Sequence, residues 1–256
     1  GLDPAFVEDV IVGCAMPEAE QGMNVARIGL LLAGLPNSVP GITVNRFCAS
    51  GLSAIQMAAD RIRVGEADVM IAAGTESMSM VPMMGNTPSL SPAIFANDDV
   101  GIAYGMGLTA EKVAQQYKVS REAQDAFGLQ SHQRAIAAQA AGEFAAEITP
   151  IEVVDRSPDL ATGQVIEKRR TVSMDEGARA DTTLEGLAKL KTPFAARGSV
   201  TAGNASGIND GAAAVVVMSA TKAASLGLTV LATIKAGSSA GVDSFLGLQY
   251  AGLQIV

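Results

Sequence analysis

The stretch "TVNRFCASGLSAIQMAADRI" (43–62) places a single cysteine, Cys48, between a short apolar run and an amphipathic segment. The run "GITVNRF" (41–47) is typical of a buried strand. After the cysteine, apolar residues recur three or four positions apart, as on the buried face of a helix; they are Leu52, Ile55, Ala58, Ala59 and Ile62. The stretch therefore predicts a strand, a turn that carries the thiol, and a helix.

The same alternation of strand and helix surrounds this stretch. "VEDVIVG" (7–13) and "ADVMIAAG" (67–74) are continuous apolar runs, which indicate strands covered on both faces. "NVARIGLLLAGLP" (24–36) predicts a helix that Asn24 caps and that ends at Gly34 and Pro36. Strands that alternate with helices at this spacing predict a parallel sheet in a layered α/β fold.

The sequence changes character between residues 81 and 195. Pro, Asn, Ser and Met crowd its start, helices are predicted at about 109–118 and 121–141, and Ser120 is a plausible N-cap for the second. Charged, irregular sequence follows over 152–192, and we interpret 81–195 as an insertion between two strands of one core. The glycine- and alanine-rich pattern then returns, with a buried strand predicted at the end of 198–219 and another at 229–237.

Composition and charge exclude several classes of function. The 256 residues are 48% apolar, which indicates a globular chain with a large core. The net charge of −8 argues against a nucleic-acid or membrane-surface partner. No apolar run reaches the ~18 residues of a membrane span. The start "GLDPAFVEDV" lacks a signal-peptide pattern, and two cysteines give neither a disulfide framework nor a metal site, so we expect a reduced, cytoplasmic setting.

Cys48 has the position of a nucleophile. A thiol at a helix N-terminus lies among unpaired backbone N–H groups and the positive end of the helix dipole, and both favour the thiolate. Gly51 would allow a substrate or a neighbouring backbone to approach closely. On spacing alone, a small buried residue in a strand–helix turn explains Cys48 equally well.

Three segments resemble the thiolases, the acetyl-CoA acyltransferases. They are "VNRFCASGLSAIQMAADRIRVGEADVMIAAGTESMS" (44–79), "LTAEKVAQQYKVSREAQDAF" (108–127) and "TAGNASGINDGAAAVVVMS" (201–219). The resemblance covers roughly residues 1–240. It implies a layered α/β/α fold in which helices cover a mixed sheet. Residues 1–80 and 196–220 would form the N-terminal core half, 81–195 an inserted loop domain, and 221–256 the truncated start of a C-terminal half, which is otherwise largely absent.

The resemblance also implies an activity. Cys48 would attack the ketone of a 3-ketoacyl-CoA, giving acetyl-CoA and an acyl-cysteine that passes to CoA; the reverse reaction is a Claisen condensation. Coenzyme A would be a co-substrate, with no bound cofactor or metal, in a cytoplasmic homodimer or homotetramer of fatty acid β-oxidation and lipid metabolism. Gly105, before Met106, favours a degradative thiolase over an acetoacetyl-CoA-specific one.

By motif matching, the resemblance assigns seven residues to CoA. Arg179 would meet the adenine–phosphate end and Met106 the thioester, and the pantetheine channel would be lined by Phe194, Ala202, Gly203, Ser206 and Ile208. Simpler interpretations remain open. Arg179 could be a solvated charge, "TAGNASG" a plain turn, and Met106 a core residue, the commoner fate of methionine.

Some family motifs are absent from these residues. The Gly-His-Pro, Asn-Glu-Ala-Phe and Cys-x-Gly-Gly motifs do not occur, and the family's "AxRTPxG"-like start is not seen before residue 1. The single histidine, His132, is expected half-buried on the helix at 121–141, Cys14 is expected to be a buried small side chain, and "FLGLQYAGLQIV" (245–256) resembles the family only weakly. Efficient turnover by these residues alone is therefore not expected. The alternative is a non-catalytic acyl-CoA-binding or oligomerisation fragment.

Overall fold

A computed structural model describes residues 2–96 and 105–241. These residues fall into two compact units, one formed by 2–96 with 208–241 and the other by 105–207. The predicted weak resemblance of the tail 245–256 lies outside the described residues.

The first unit is a sheet covered by helices. Its elements in chain order are β1 (Asp9–Gly13), α1 (Val25–Leu32), β2 (Gly41–Val44), α2 (Ser50–Arg63), β3 (Val69–Glu76) and α3 (Pro92–Phe95). After the second unit, whose strands are β4 (Ile151–Pro158) and β5 (Val165–Val172), come β6 (Gly211–Met218) and α7 (Ala220–Ser225). The strands and helices predicted around Cys48 are confirmed, with ends that differ by a few residues.

The sheet has the order β2-β1-β3-β6 and is mixed, as the resemblance implies. β1 runs parallel to β2 and to β3, whereas β6 runs antiparallel to β3. Gly13 pairs with Val44 on one side and with Gly74 on the other, so three parallel strands end close to one another. Residues that follow these strands therefore share one edge of the sheet.

Alternation along β1 builds the core on both faces of the sheet. Val10 and Val12 pack with Ala26 and Leu30 of α1. Ile11 points to the opposite face and packs there with the α2 side, in a cluster that contains Ala54, Ala58, Met70 and Ala72. Because successive side chains of a strand point to opposite faces, one short apolar strand supports a helix on each side. The result is the predicted three-layered α/β/α arrangement.

Small residues bring α2 close to the sheet. A Cβ atom built on Gly13 would lie 2.6 Å from the carbonyl carbon of Ser50 and 2.7 Å from the backbone nitrogen of Gly51. Ala54 and Ala58 continue the contact and are fully buried. The start of α2, and with it the turn before it, is therefore fixed against the end of β1.

Three predictions for this unit are wrong. β6 forms where expected but is largely exposed, with Val215 and Val216 46% and 50% exposed, because few described residues pack on it. Leu52 lies on the solvent side of α2 at 43% exposure, since the buried stripe follows the alanines instead. Residues 229–237 form no strand and include a Leu231 that is 96% exposed; strand propensity without a neighbour to pair with does not make a strand.

The second unit contains two helices, a hairpin and a short helix. The helices are α4 (Met106–Tyr117) and α5 (Arg121–Ala140), followed by the antiparallel hairpin β4–β5 and by α6 (Leu184–Ala188). Ser120 caps α5 as predicted, since its side chain accepts a hydrogen bond from the Ala123 N–H. The hairpin overlaps the charged segment 152–192, in which no strand was predicted. The boundaries predicted for the insertion, 81–195, stay a prediction. In the described ranges of both units, no helix is long and apolar enough to cross a membrane.

Candidate active site

Cys48 is exposed in the turn between β2 and α2. The residue before it, Phe47, has a left-handed backbone with φ of +48°, which is uncommon for a residue other than glycine. Ser50, 3% exposed, closes this turn: its hydroxyl accepts from the Arg46 N–H at 2.7 Å and donates to the Phe47 carbonyl at 2.6 Å. The alternative that Cys48 is a buried small residue is therefore wrong for this chain.

A second feature of the turn is open space on its helical side. A Cβ atom on Gly51 would meet no atom within 4 Å, while the Gly51 backbone lies against β1 and β3 through Gly13 and Gly74. The close approach of neighbouring backbone that the sequence predicted at Gly51 is thus present. The backbone that approaches Gly51 is that of the sheet, at Gly13 and Gly74.

The carboxylate of Glu76 organises the sheet edge beside this turn. Glu76 ends β3 and accepts hydrogen bonds from the Ala15 N–H at 2.7 Å, the Met16 N–H at 3.3 Å and the Gln21 side-chain amide at 2.7 Å. Gln21 is 5% exposed and its oxygen accepts from the Ser77 N–H. One half-buried carboxylate thus ties the segment after β1 to the end of β3.

Asn45 links that segment to the turn of Cys48. Its side-chain N–H donates to the Ala15 carbonyl at 2.9 Å, and its oxygen accepts from the Phe47 N–H at 2.8 Å. Sequence reasoning missed Asn45, Ser50 and Glu76. The available signal was their position at the end of a strand, directly after a strand or at a helix start, where polar side chains satisfy free backbone groups.

Cys14 differs from Cys48 although both follow parallel strands. Cys14 is 1% exposed, which confirms the prediction of a buried small side chain. Burial, and then the charge of Glu76 whose carboxylate oxygen lies 3.9 Å from the sulfur, raises the pKa of the Cys14 thiol. The two cysteines therefore differ in access, and burial disfavours the thiolate form of Cys14.

In the second unit, the glycine-rich segment predicted to line the pantetheine channel is held by two acidic residues. Glu111 of α4 accepts from the backbone N–H groups of Ser199 and Val200 at about 2.9–3.0 Å. Asp125 of α5, 4% exposed, accepts from the side-chain amide of Asn204 at 2.9 Å. Both anchors were missed by sequence reasoning.

Asn204 closes the segment on itself. Its oxygen accepts from the Thr201 N–H at 2.7 Å, and its amide donates to the Ser199 carbonyl at 3.0 Å. Beside it, Gly203 packs so tightly that a Cβ atom would lie 2.4 Å from a methyl carbon of Leu187. Ala202 and Ser206 are exposed on this segment, and the Ser206 hydroxyl donates to the Gly207 carbonyl. The segment "TAGNASG" is therefore a loop whose conformation is fixed by side-chain and backbone hydrogen bonds.

Phe194 lies against the start of α4. A Cβ atom on Gly107 would lie 2.2 Å from the Phe194 ring, and the neighbouring Met106 is the first residue of that helix. Phe194 is 42% exposed. The structure thus places Phe194 against Gly107, the residue that follows Met106. Ile208, which belongs to the first unit, is 68% exposed.

Arg179 is a surface residue whose backbone is fixed by the single histidine. Its N–H donates to Nδ1 of His132 at 3.2 Å, and His132 is half-buried on α5, as predicted. The Arg179 guanidinium, 70% exposed, lies 3.4 Å from Asp181. The hydrogen bond from Arg179, followed by its charge, lowers the pKa of Asp181.

The described part of the chain holds no cluster of three or more His, Cys, Asp or Glu residues that could bind a metal ion. The chemistry available at the described sites is that of a thiol, carboxylates and backbone N–H groups. An exposed thiol on a rigid turn at a helix start can act as a nucleophile.

Comparison with known proteins identifies a family. The family model "Thiolase, N-terminal domain" matches residues 1–221. A 3-ketoacyl-CoA thiolase of Bacillus subtilis (strain 168) is 48% identical over 244 residues, 92% of this chain and 60% of the relative. An acetyl-CoA acetyltransferase of Pseudomonas aeruginosa is 46% identical over 256 residues, 95% of this chain and 62% of the relative.

A solved structure agrees with the sequence comparisons. The crystal structure of the Bacillus anthracis acetyl-CoA acetyltransferase superposes with a TM-score of 0.70 at 38% identity, and covers 89% of this chain and 58% of that one. The chain thus spans about three fifths of the length of the relatives that it matches.

Proposed function

The chain belongs to the thiolase family, and from that premise we propose that Cys48 is the acyl-accepting nucleophile of a thiolase-type acyltransferase. The observation that carries this proposal is the contrast between its two cysteines. Cys48 is exposed on a fixed turn that leads into α2, whereas Cys14 is 1% exposed behind Glu76. Only Cys48 offers its sulfur to a substrate without rearrangement of the core.

The reaction proceeds in two half-reactions. The Cys48 sulfur attacks the C3 carbonyl carbon of a 3-ketoacyl-CoA, and the bond between C2 and C3 breaks. The electron pair of that bond leaves as the enolate of acetyl-CoA, which takes up one proton, while the shortened acyl group stays on Cys48 as a thioester. The thiol of a second CoA then attacks this thioester, and the Cys48 thiol is regenerated. Backbone donors that hold the tetrahedral oxyanions would supply the largest share of the rate.

Coenzyme A is the co-substrate in this proposal, with no bound cofactor. The residues proposed to hold it are Met106, Arg179, Phe194, Ala202, Gly203, Ser206 and Ile208. Support comes from the hydrogen-bonded loop at 201–207 and from the half-exposed ring of Phe194, which lies against Gly107, the residue after Met106. Among the described residues, the guanidinium of Arg179 pairs with the exposed carboxylate of Asp181. Surface ion pairs of that kind are worth about 0–1 kcal/mol, so exchange of Asp181 for a phosphate costs little.

The setting of the reaction is also part of the proposal. We place it in the cytoplasm, in the degradative direction of fatty acid β-oxidation, in a homodimer or homotetramer. The similarity to the 3-ketoacyl-CoA thiolase of Bacillus subtilis supports the direction. The exposed valines of β6 form an apolar surface that an oligomer interface would cover.

A second candidate function is acyl-CoA binding without turnover. It is favoured by the loop at 201–207, whose hydrogen bonds lie within the second unit and do not involve Cys48. Turnover would in addition need general-base assistance, which is worth about 10²–10⁴-fold in rate.

The test is acylation of the purified chain by a 3-ketoacyl-CoA, followed by peptide-resolved mass spectrometry. An acyl adduct on the peptide that contains Cys48, lost in Cys48→Ser and kept in Cys14→Ala, supports the nucleophile. Saturable CoA binding by calorimetry without any adduct favours the second candidate. Absence of both the adduct and binding would contradict both functions.

A further inference from the structure

The turn that carries Cys48 is held by a side chain that the proposed chemistry does not use. Asn45 follows β2 directly, and its amide spans two backbone groups, the Ala15 carbonyl and the Phe47 N–H. The carbonyl requires a donor and the N–H requires an acceptor, so only one orientation of the amide satisfies both. Asn45 therefore joins the segment after β1 to the residue before the cysteine.

The far end of this link is also fixed. Ala15 accepts from Asn45 through its carbonyl and donates through its N–H to the carboxylate of Glu76, at 2.7 Å. The other carboxylate oxygen accepts from the Met16 N–H and from the Gln21 amide. A hydrogen bond to a charged acceptor is stronger than one between neutral groups. Glu76 thus fixes the backbone of Ala15, whose carbonyl accepts the hydrogen bond from Asn45.

The near end of the link is a conformation that needs support. A left-handed backbone is unfavourable at a residue other than glycine and persists where surrounding contacts determine it. Phe47, with φ of +48°, has that conformation, and its N–H is held by Asn45 while its carbonyl is held by Ser50. The direction in which the next residue, Cys48, leaves the turn depends on both bonds.

Building on the proposed function, we propose that Asn45 is a positioning residue for Cys48, and that Glu76 acts on the thiol through Ala15 and Asn45. The link holds the left-handed turn so that the sulfur stays at the N-terminus of α2. Asn45 does not touch the substrate in this proposal. It determines how often the thiol is presented in the reactive geometry.

The test measures the alkylation rate of each cysteine by iodoacetamide, resolved by peptide mass spectrometry. In Asn45→Ala, we expect Cys48 to react about three- to fivefold more slowly. This factor corresponds to the stabilisation that a helix N-terminus gives to a negative charge such as that of the reacting sulfur. Cys14 should stay unreactive in this variant. It is the control for unfolding, since a variant that merely unfolds would expose Cys14 and speed its alkylation. Asn45→Asp keeps the acceptor for the Phe47 N–H, so it should recover part of the rate. Asn37→Ala, on an exposed loop before β2, is the matched control.

A double-mutant cycle tests the path from Glu76. If Glu76 acts through Asn45, then Glu76→Gln slows the alkylation of Cys48 in the natural background. In the Asn45→Ala background, Glu76→Gln should not slow this alkylation further. An unchanged Cys48 rate in Asn45→Ala, or a slower rate matched by new reactivity at Cys14, overturns the positioning role; additive effects overturn the path. These readouts do not need an acyl substrate. If Cys48 takes no acyl group but slows in Asn45→Ala, the proposed function fails and the positioning role stands.

Discussion

Two glycines in contact with each other should respond to alanine in opposite directions. Gly13 ends β1, and a Cβ atom there would lie 2.6 Å from the carbonyl carbon of Ser50 and 2.7 Å from the backbone nitrogen of Gly51. A Cβ atom on Gly51 would meet nothing within 4 Å. The two positions lie on opposite sides of the same contact, but the added carbon points into it at Gly13 and away from it at Gly51.

The expected loss of stability in Gly13→Ala follows from the geometry at this position. Carbon atoms are in favourable contact at about 3.5–4.0 Å, so the start of α2 would have to retreat by roughly 1 Å. Backbone atoms cannot rotate away, and a retreat of α2 would loosen the fully buried Ala54 and Ala58. Overpacking of this kind costs typically about 1–3 kcal/mol. Gly51→Ala instead gains up to about 1 kcal/mol, because alanine loses less backbone entropy in a helix.

The assays are equilibrium unfolding in urea and thermal unfolding of the natural chain and both variants, each followed by circular dichroism. Gly13→Ala should lower the unfolding midpoint, with Tm falling by roughly 2–4 °C per kcal/mol in a chain of this size, and Gly51→Ala should raise it or leave it unchanged. If Gly13→Ala were as stable as the natural chain, or if both variants shifted the midpoint in the same direction, the close packing of α2 on β1 would be refuted.

Three further predictions concern other parts of the two units. Asp125→Ala removes a buried partner of an ion pair and should cost about 3–5 kcal/mol in urea unfolding, whereas Asp60→Ala, at an exposed pair on α2, should cost less than about 1 kcal/mol; equal losses would contradict the burial. Because burial raises the pKa of the native Cys14 thiol, the free energy of unfolding should fall as the pH rises past the unfolded value of about 8.5. Cys14→Ala should remove that slope, and a slope that persists in this variant would assign it elsewhere. Gly107→Ala displaces the half-exposed ring of Phe194 and should weaken CoA binding in calorimetry with little loss of stability; unchanged affinity would remove Phe194 from the CoA site.

The elements predicted best from sequence are those with a period and a cap. β1, α1, β2, α2 and β3 follow from apolar spacing, and the capping roles of Asn24 and Ser120 follow from their side chains. Both signals are local, so they are contained in a single sequence window.

The predictions that failed depend on what packs against an element. The strand at 211–218 was expected to be buried because its sequence is apolar, but exposure is set by neighbours and not by composition. The hairpin β4–β5 was missed because its two strands are exposed on both faces and carry charges without alternation.

The residues around Cys48 show the same limit at the level of the site. The cysteine could be singled out from the strand–helix junction, but Glu76 lies 28 positions from Cys48 in sequence and reaches its turn only through Ala15 and Asn45. Parallel strands bring these residues together because their carboxyl ends meet at one edge. The roles assigned to the CoA-binding residues remain predictions.

The ladder between β3 and β6 has a consequence for how the chain is made. It pairs Glu76 with Gly211, so 135 residues must be synthesised after the first partner before the second exists. At about 5–20 residues per second, this takes roughly 7–27 s. During that time the edge of β3 is an unpaired, apolar template on the ribosome, open to strands of other nascent chains. The yield of this protein in cells should therefore depend on translation speed through the intervening segment, and on chaperones that shield β3 while the ribosome passes through it.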